Sequence, residues 1–164
     1  MFSSFESLFE DYPGFESNSC FDNYLYCRAD DEMHAIRLLN NPALIGWITL
    51  QKDYEGRPDL GIKLFPEFQN QGYGPEAVAL FANHLHYQHG LPLIYVRIYE
   101  SNAQSQRAFS KLGAVLDYIA PDPVMAELYA SIHPDNPVQA NAPLLRFYHL
   151  NLPLISETSS SAQA

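Results

Sequence analysis

The stretch FPEFQNQGYGPEA, residues 65–77, is where this chain changes its hydrophobic period. Before it, apolar residues alternate or run together over short segments bounded by turn residues, as strands do. After it, Val78, Phe81, Ala82 and Leu85 recur at i, i+3, i+4, i+7, the spacing of one helix face. A switch of period across a Gly-x-Gly-Pro turn predicts a strand–turn–helix at the centre of the fold, around which the rest must be arranged.

Upstream, Ser3 and Glu6 stand at capping-box spacing with Phe2, Phe5, Leu8 and Phe9 at near-helical intervals, which predicts a short helix in an N-terminal extension over 1–20. Strand-favouring runs follow at 21–29, 33–39, 43–51 and 59–65, separated by turns at 29–32 and 40–42 and by a loop at 53–58. The helix is expected over 75–89: Pro75 suits a first turn, Gly90 suits a C-terminal cap and Pro92 forbids continuation. A fifth strand at 93–99 leads to a second helix at 103–112, capped by Asn102 and stopped by Gly113. Strands at 114–120 and 144–150 complete the set. Between them runs a Pro-rich connection, 121–143, with a helical turn at 125–132; loops of that length tend to be functional or to cover something. The order predicts an α+β, or mixed α/β, fold on one sheet, a single domain over 21–151, and a polar, disordered tail over 152–164.

Composition narrows the function. A chain of 164 residues, 47% hydrophobic, suffices to bury a core without staples. Nine Lys and Arg against nineteen Asp and Glu give a net charge of −10, which argues against a nucleic-acid partner, since that needs a basic stripe to displace counterions. The charge favours a cationic or neutral partner, or serves solubility alone. Cys20 and Cys27 form neither a CxxC nor a metal spacing. His84, His86 and His89 crowd one helix but point to different faces, so they read as exposed residues and not as a metal site. No basic region precedes the first apolar residues, and no apolar run approaches the roughly 20 residues of a membrane span. A cytoplasmic chain with no membrane partner is expected.

The glycine turn carries the chemistry. A helix N-terminus presents unpaired N–H groups and a partial positive charge, so it favours an anion such as a phosphate. Gly72 and Gly74 lack Cβ atoms and let the backbone curl and be approached closely. No Gly-Lys-Ser/Thr follows, so this is not a Walker A loop, and the third glycine of the dinucleotide fingerprint is missing. A tight turn before a helix needs glycine anyway, so the motif alone leaves a phosphate cradle and a plain turn both open.

Two motifs together resemble a known family. QNQGYG, residues 69–74, resembles the Q/R-x-x-G-x-G/A pyrophosphate motif of the GCN5-related N-acetyltransferases. ESNAQSQRAFSKLGA, residues 100–114, resembles the N-x-x-S-x-x-x-F-x-K-L-G segment of their ribosomal-protein-acetylating branch, and LIGWITL and DLGIKL also fit that branch. The resemblance spans 43–114. It implies a central, mostly antiparallel sheet flanked by helices and splayed into a cleft between the fourth and fifth strands. It implies acetyl-CoA as co-substrate and no metal. The pyrophosphate would lie on the turn Gln69, Asn70, Gln71, Gly72, Tyr73 and Gly74, and the acetyl carbonyl and pantetheine along the backbone of Ile62, Lys63 and Leu64. Asn102, Ser105 and Phe109 on the second helix complete the implied cofactor site.

Acetyl transfer from a thioester to an amine asks for removal of an ammonium proton, a donor for the developing oxyanion and an acid for the departing thiolate. Direct attack in a ternary complex needs no covalent enzyme intermediate. The resemblance places Asp59 where the family often carries a Glu base, one methylene shorter and so working through a water; the plain reading of Asp59 is a strand-entry acid beside Arg57. Many relatives use a tyrosine acid where this chain has Phe109, which cannot donate, and the branch offers Ser105 instead. Ser105 also shares a helical stripe with Ala108, Phe109 and Leu112, where a small residue for close packing would look identical. Asn102 is first an N-cap. Tyr99, Tyr118 and Tyr148 are further acids among which the sequence does not choose. Pro75 removes one N–H from the cradle.

Relatives place two helices between their first and second strands, and 21–39 leaves no room for them. This shortened front implies an acceptor side that is open, or completed by 121–143 or by a second subunit; an exposed apolar patch there would favour a homodimer. Two functions are compatible with these residues: an N-acetyltransferase acting on the amine of a small molecule or peptide, or a catalytically impaired acyl-CoA-binding or protein-interaction module of the same fold. An unrelated nucleotide binder is a third, weaker reading.

Overall fold

Before the central turn, β1 (Ser3–Ser4), β2 (Glu32–Leu38), β3 (Asn41–Lys52) and β4 (Pro58–Leu64) pair antiparallel, each with the next. The structure, a computed structural model, describes residues 3–4, 32–39, 41–132 and 142–154. It divides into two compact units, Met1–Val78 and Ala79–Ala164. Ser3 and Ser4 pair with Ala35 and His34, so these two residues are extended. The rest of the predicted N-terminal helix, the predicted strand over 21–29 and both cysteines lie outside the described residues.

In the first unit, Leu38 faces Asn41 across the turn, so β3 begins two residues before the predicted strand. Asn41 and Pro42 of that turn signal are the strand's first residues, and Leu39, 95% exposed, sits in the turn. Met33, Ala35, Leu44 and Trp47 form a buried cluster with Phe65 against it, and the Trp47 and Phe65 rings meet edge to face at 5.8 Å. β3 and β4 stay in one register from Gly46 opposite Leu64 to Lys52 opposite Pro58.

The loop closing that hairpin is built on Asp53. Gly56 N–H donates to the Asp53 carbonyl and Asp53 N–H to the Arg57 carbonyl, both at 3.0 Å, with Gly56 at φ +77°. This is the three-residue hairpin loop with a left-handed glycine. The buried Asp53 carboxylate accepts from the Glu55 and Arg57 N–H groups at 2.9 Å and from Arg57 Nε at 2.7 Å. Burial alone would push its pKa up. The backbone and guanidinium hydrogen bonds of Arg57, and the Glu55 N–H, outweigh that and hold it below the usual carboxylate value.

After the turn comes the helix α1 (Tyr73–His89). Val78, Phe81, Ala82 and Leu85 are all buried, as the period predicts. Gly90 at φ +67° ends it. His86 departs from the expected exposed row: it is half-buried, with Nδ1 2.8 Å from the Leu91 carbonyl, because the helix C-terminus and the Gly-Leu-Pro turn fold back over it.

The second unit continues with β5 (Leu93–Tyr99), α2 (Ala103–Lys111), β6 (Val115–Pro121), α3 (Pro123–Ile132) and β7 (Leu144–Asn151). β7 lies between β5 and β6 and is antiparallel to both. Ile94, Val96 and Ile98 bury one face of β5. The connection expected as a long loop with one helical turn holds the ten-residue α3. Asp122 starts it by capping the Val124 and Met125 N–H groups with Oδ1, and Pro123 occupies the first helical place, where its missing N–H costs nothing. Asn83 holds the chain beyond β7 by two hydrogen bonds to the Leu154 backbone. Among the described residues no helix is long and apolar enough to cross a membrane.

Two outcomes are expected. A Cβ on Gly46 would stand 2.1 Å from the Lys63 carbonyl oxygen and 2.9 Å from Leu64 Cα. Gly46→Ala therefore forces β3 and β4 apart and lowers stability by roughly 3 kcal/mol, read from the urea midpoint. Asp53 has a depressed folded pKa, so its contribution is present above its unfolded value near 3.8 and is lost as pH falls through the lower folded value. Asp53→Asn should cost about 2 kcal/mol at pH 7 and show a shallower loss of stability below pH 4 than the parent, measured by urea unfolding across that range.

Candidate functional site

The site begins where β4 stops. Phe65 N–H donates to the Ile45 carbonyl at 2.9 Å, after which a short 3-10 turn, Pro66–Phe68, lifts the chain away from the strand. Two glutamine side chains staple the turn: Gln69 Nε2 donates to the Leu64 carbonyl at 3.0 Å and Gln71 Nε2 to the Glu67 carbonyl at 2.6 Å. Gln69 N–H is spent on the Pro66 carbonyl. Gln69 thus positions the turn from within. Asn70 at φ +59° and Gly72 at φ +89° complete the reversal.

α1 begins at Tyr73, two residues before the position that proline suggests. Its first hydrogen bond runs from Glu76 N–H to the Gly72 carbonyl at 3.3 Å, which makes Gly72 the cap and Pro75 the third helical residue. Proline fits anywhere in a first turn, because those N–H groups have no intrahelical acceptor. Among the described residues, the N–H groups of Gln71, Gly72, Tyr73 and Gly74 meet no acceptor. Four unspent donors at the positive end of a 17-residue helix suit a diphosphate.

The two glycines differ in kind. Gly72 is required by its left-handed φ. Gly74 has no such φ, and a Cβ on it would meet only Leu64 Cδ1 at an ordinary 3.7 Å. Nothing in the fold asks for glycine there, so its bareness leaves the helix start open to something outside the chain. The turn fits the pyrophosphate of coenzyme A on those grounds.

Ile62, Lys63 and Leu64 lie on β4 opposite Ile48, Trp47 and Gly46. The Lys63 ammonium stands 5.6 Å from the Trp47 ring centroid, within cation–π range. Asp59, at the start of the same strand, is 2% exposed and faces Gln51 on β3, whose Nε2 donates to Oδ2 at 2.9 Å. Arg57, expected as its neighbour, pairs with Asp53 and Glu55. The first unit therefore brings Asp59, the 62–64 strand and the 69–74 turn onto one run of strand, turn and helix start.

In the second unit Asn102 caps α2: its Oδ1 accepts from Ser105 N–H at 3.0 Å. Asn102 N–H in turn donates to the Tyr99 carbonyl at 2.8 Å, and Gln106 Nε2 bonds the Glu100 carbonyl at 2.8 Å, so the turn after β5 is held from both sides. Ser105 is half-buried on the stripe that carries Ala108, Leu112 and the buried Phe109. Of the tyrosines, Tyr148 is buried, Tyr118 stacks on Phe147 at 4.4 Å, and Tyr99 donates its hydroxyl to Asp122 Oδ2 at 2.7 Å. Sequence reasoning missed Gln51 and Asp122. Both had signals: a three-residue hairpin loop pairs 51 with 59, and Asp before Pro is a helix start. Among the described residues no three His, Cys, Asp or Glu side chains group to hold a metal.

Against known proteins, the model of the acetyltransferase (GNAT) domain family matches residues 10–115. No curated protein sequence matches the chain. Solved structures are similar. A spermidine N-acetyltransferase from Vibrio cholerae, in complex with CoA and spermine, aligns at TM-score 0.57 and 14% identity over 93% of this chain and 78% of that one. A GNAT-family acetyltransferase from Bacillus anthracis aligns at 0.58 and 18% identity over 73% and 65%, and an acetyltransferase from Agrobacterium tumefaciens at 0.55 and 18% over 79% and 64%. Identities this low speak to the fold. The family match covers well over half of the chain and includes the strand, glycine turn and helix start, so the chain belongs to the GNAT acetyltransferase family.

Proposed function

We propose that this chain is a cytoplasmic, acetyl-CoA-dependent N-acetyltransferase acting on the amine of a small cationic molecule or a peptide. The observation that carries this reading is the turn at 71–74, with four donors unspent and a glycine at 74 that the fold does not need. Those N–H groups would hold the pyrophosphate, and Asn102 and Ser105 are proposed as further cofactor contacts. Bound acetyl-CoA supplies the activated acyl carbon.

The protein's part is to hold and to move protons. Asp59, oriented by the Gln51 amide, is the proposed base for the acceptor ammonium, directly or through a water. Ser105 is the proposed proton donor to the departing sulfur. The acceptor is proposed to be polyamine-like, on two grounds: the charge of −10 draws cations, and the similar Vibrio structure holds spermine. The 100–114 segment keeps a peptide amine of the ribosomal-protein kind as the other acceptor class. Phe109, buried and without a hydroxyl, favours a second reading as an acyl-CoA-binding module with impaired catalysis.

Calorimetric titration with acetyl-CoA should give about one site with micromolar affinity. Gly74→Ala should weaken that affinity about tenfold while leaving thermal stability equal or higher, because alanine is the better helix residue. Affinity unchanged in Gly74→Ala would remove the turn from the cofactor site, and no binding by the parent would hand the lead to an interaction module. In steady-state assays against spermidine, Asp59→Asn should lower kcat about 100-fold with acetyl-CoA affinity intact. Equal turnover in the variant would place the base elsewhere.

A further inference from the structure

Asp59 is too buried to meet an acceptor unaided, and the sheet face around it holds what can stand between them. β3 and β4 are in register, so Trp47, Thr49 and Gln51 share one face with Lys63, Gly61 and Asp59, each opposite its partner. β2 adds Ala35 and Met33 to this face, opposite Trp47 and Thr49, and both are apolar. Exposure rises along β4 from Asp59 at 2%, through half-buried Gly61, to exposed Lys63. A proton leaving an acceptor for Asp59 therefore has its way in past Gly61 and Thr49.

Gly61 has no left-handed φ that would call for glycine. A Cβ on it would stand 2.6 Å from Thr49 Oγ1. Its chain neighbours aside, among the described residues no side chain but that of Thr49 comes within 4 Å of the place. The bare Cα thus admits the threonine hydroxyl and leaves room beside it. That hydroxyl donates to the Gly61 carbonyl at 3.4 Å, which leaves its oxygen lone pairs to accept. Across the diagonal of the pairing its neighbour is Asp59, and diagonal neighbours lie roughly 7–8 Å apart, a span that two side chains and one water fill.

We propose that Thr49 is a positioning residue for acetyl transfer: its hydroxyl holds the water through which Asp59 takes a proton from the acceptor ammonium. This rests on the reading of Asp59 as the base. The water donates one hydrogen bond to the Asp59 carboxylate and one to Thr49 Oγ1, and accepts from the ammonium N–H, which makes the usual number of partners for a held water. Because the threonine proton is turned to the Gly61 carbonyl, Oγ1 can only accept, and this aims the water's own lone pair at the ammonium. In the step, an N–H bond of the ammonium breaks to the water oxygen as an O–H bond of the water breaks to the carboxylate. The water is regenerated, Asp59 is left as the neutral acid, and the neutral amine attacks the acetyl carbon. Gln51 keeps the carboxylate in place through Oδ2 at 2.9 Å. Among the described residues, Asp59 and Lys63 are the titratable groups of this face, and the Lys63 ammonium lies over Trp47, 5.6 Å from the ring centroid. No second carboxylate of the face competes for the proton.

Steady-state kinetics of the full chain with spermidine test it. Valine keeps the branched shape and strand preference of threonine without the hydroxyl. Thr49→Val is expected to lower kcat about 20-fold, with acetyl-CoA affinity and the circular dichroism spectrum unchanged. Thr49→Ser, which restores the hydroxyl, should return to within about threefold of the parent. The valine deficit should shrink as pH rises from about 7 to about 10, where the acceptor is increasingly a free amine and needs no base; a packing defect would not respond in this way. Adding Thr49→Val to Asp59→Asn should cost less than about twofold more, since both act on one transfer. Should Thr49→Val fail to fold, Gly61→Ala, whose methyl displaces the hydroxyl, is expected to show the same loss and the same recovery with pH. A folded Thr49→Val that turns over like the parent, while Asp59→Asn loses about 100-fold, overturns this inference and leaves the base in place. A loss that serine does not restore overturns it too. Parent-like turnover by Asp59→Asn overturns the reading of the base, and this inference with it.

Discussion

The close pairing of β3 with β4 is the constraint on which the first unit depends. Gly46 lies so near Lys63 and Leu64 that no side chain fits, and this contact fixes the register at one end. The Asp53 loop fixes it at the other, with its carboxylate collecting three donors. Side chains on a strand alternate, so a slip by one residue would exchange every face of the hairpin. Between those two pins everything of functional interest on β4 takes its place. Asp59 comes opposite Gln51, and Leu64 ends the strand with its carbonyl turned to Gln69, the residue that stations the glycine turn.

That dependence explains which features are legible in the sequence. Helices and strands between 33 and 151 follow from period and punctuation: β5 is found over the seven residues its alternation marks, and α1 buries the four residues its spacing selects. Boundaries shift where a local signal has two uses. Pro75 can sit anywhere in a first turn, so it does not mark the first residue of α1, and the Asn-Asn-Pro run can as well open a strand as close a turn. α3 reads as a single turn because prolines crowd its flanks, yet one of them is the residue that starts it. Contacts between residues far apart in sequence are not legible. Tyr99 meeting Asp122 requires β7 to be laid between β5 and β6, and no short-range pattern states that order.

The second unit repeats the device of the first with different atoms. Asn102 caps α2 as Gly72 caps α1, and in both places the residue that ends the preceding segment is tied down by side-chain amides: Gln106 reaches back to Tyr99 and Glu100, and Gln69 to Leu64. Amides suit this work because one group can reach a backbone carbonyl without bringing a charge that would compete for an anion. The glycine turn is therefore surrounded by neutral staples, with its own donors left over.

Pro75 looks like a loss in such a site, since it removes a donor. Its position alters the balance. As the third residue of the helix it takes away one N–H that the helix could not use, and it fixes φ where the first turn needs it. The donors at Gln71 to Gly74 then stand on a turn stiffened by proline on one side and by two glutamine staples on the other. A ligand meeting a stiff cradle has less chain to order as it binds, and the saving for each immobilised group is comparable to a net hydrogen bond. Fewer donors held still can equal more donors left loose, and on that argument the proline is compatible with a working cofactor site.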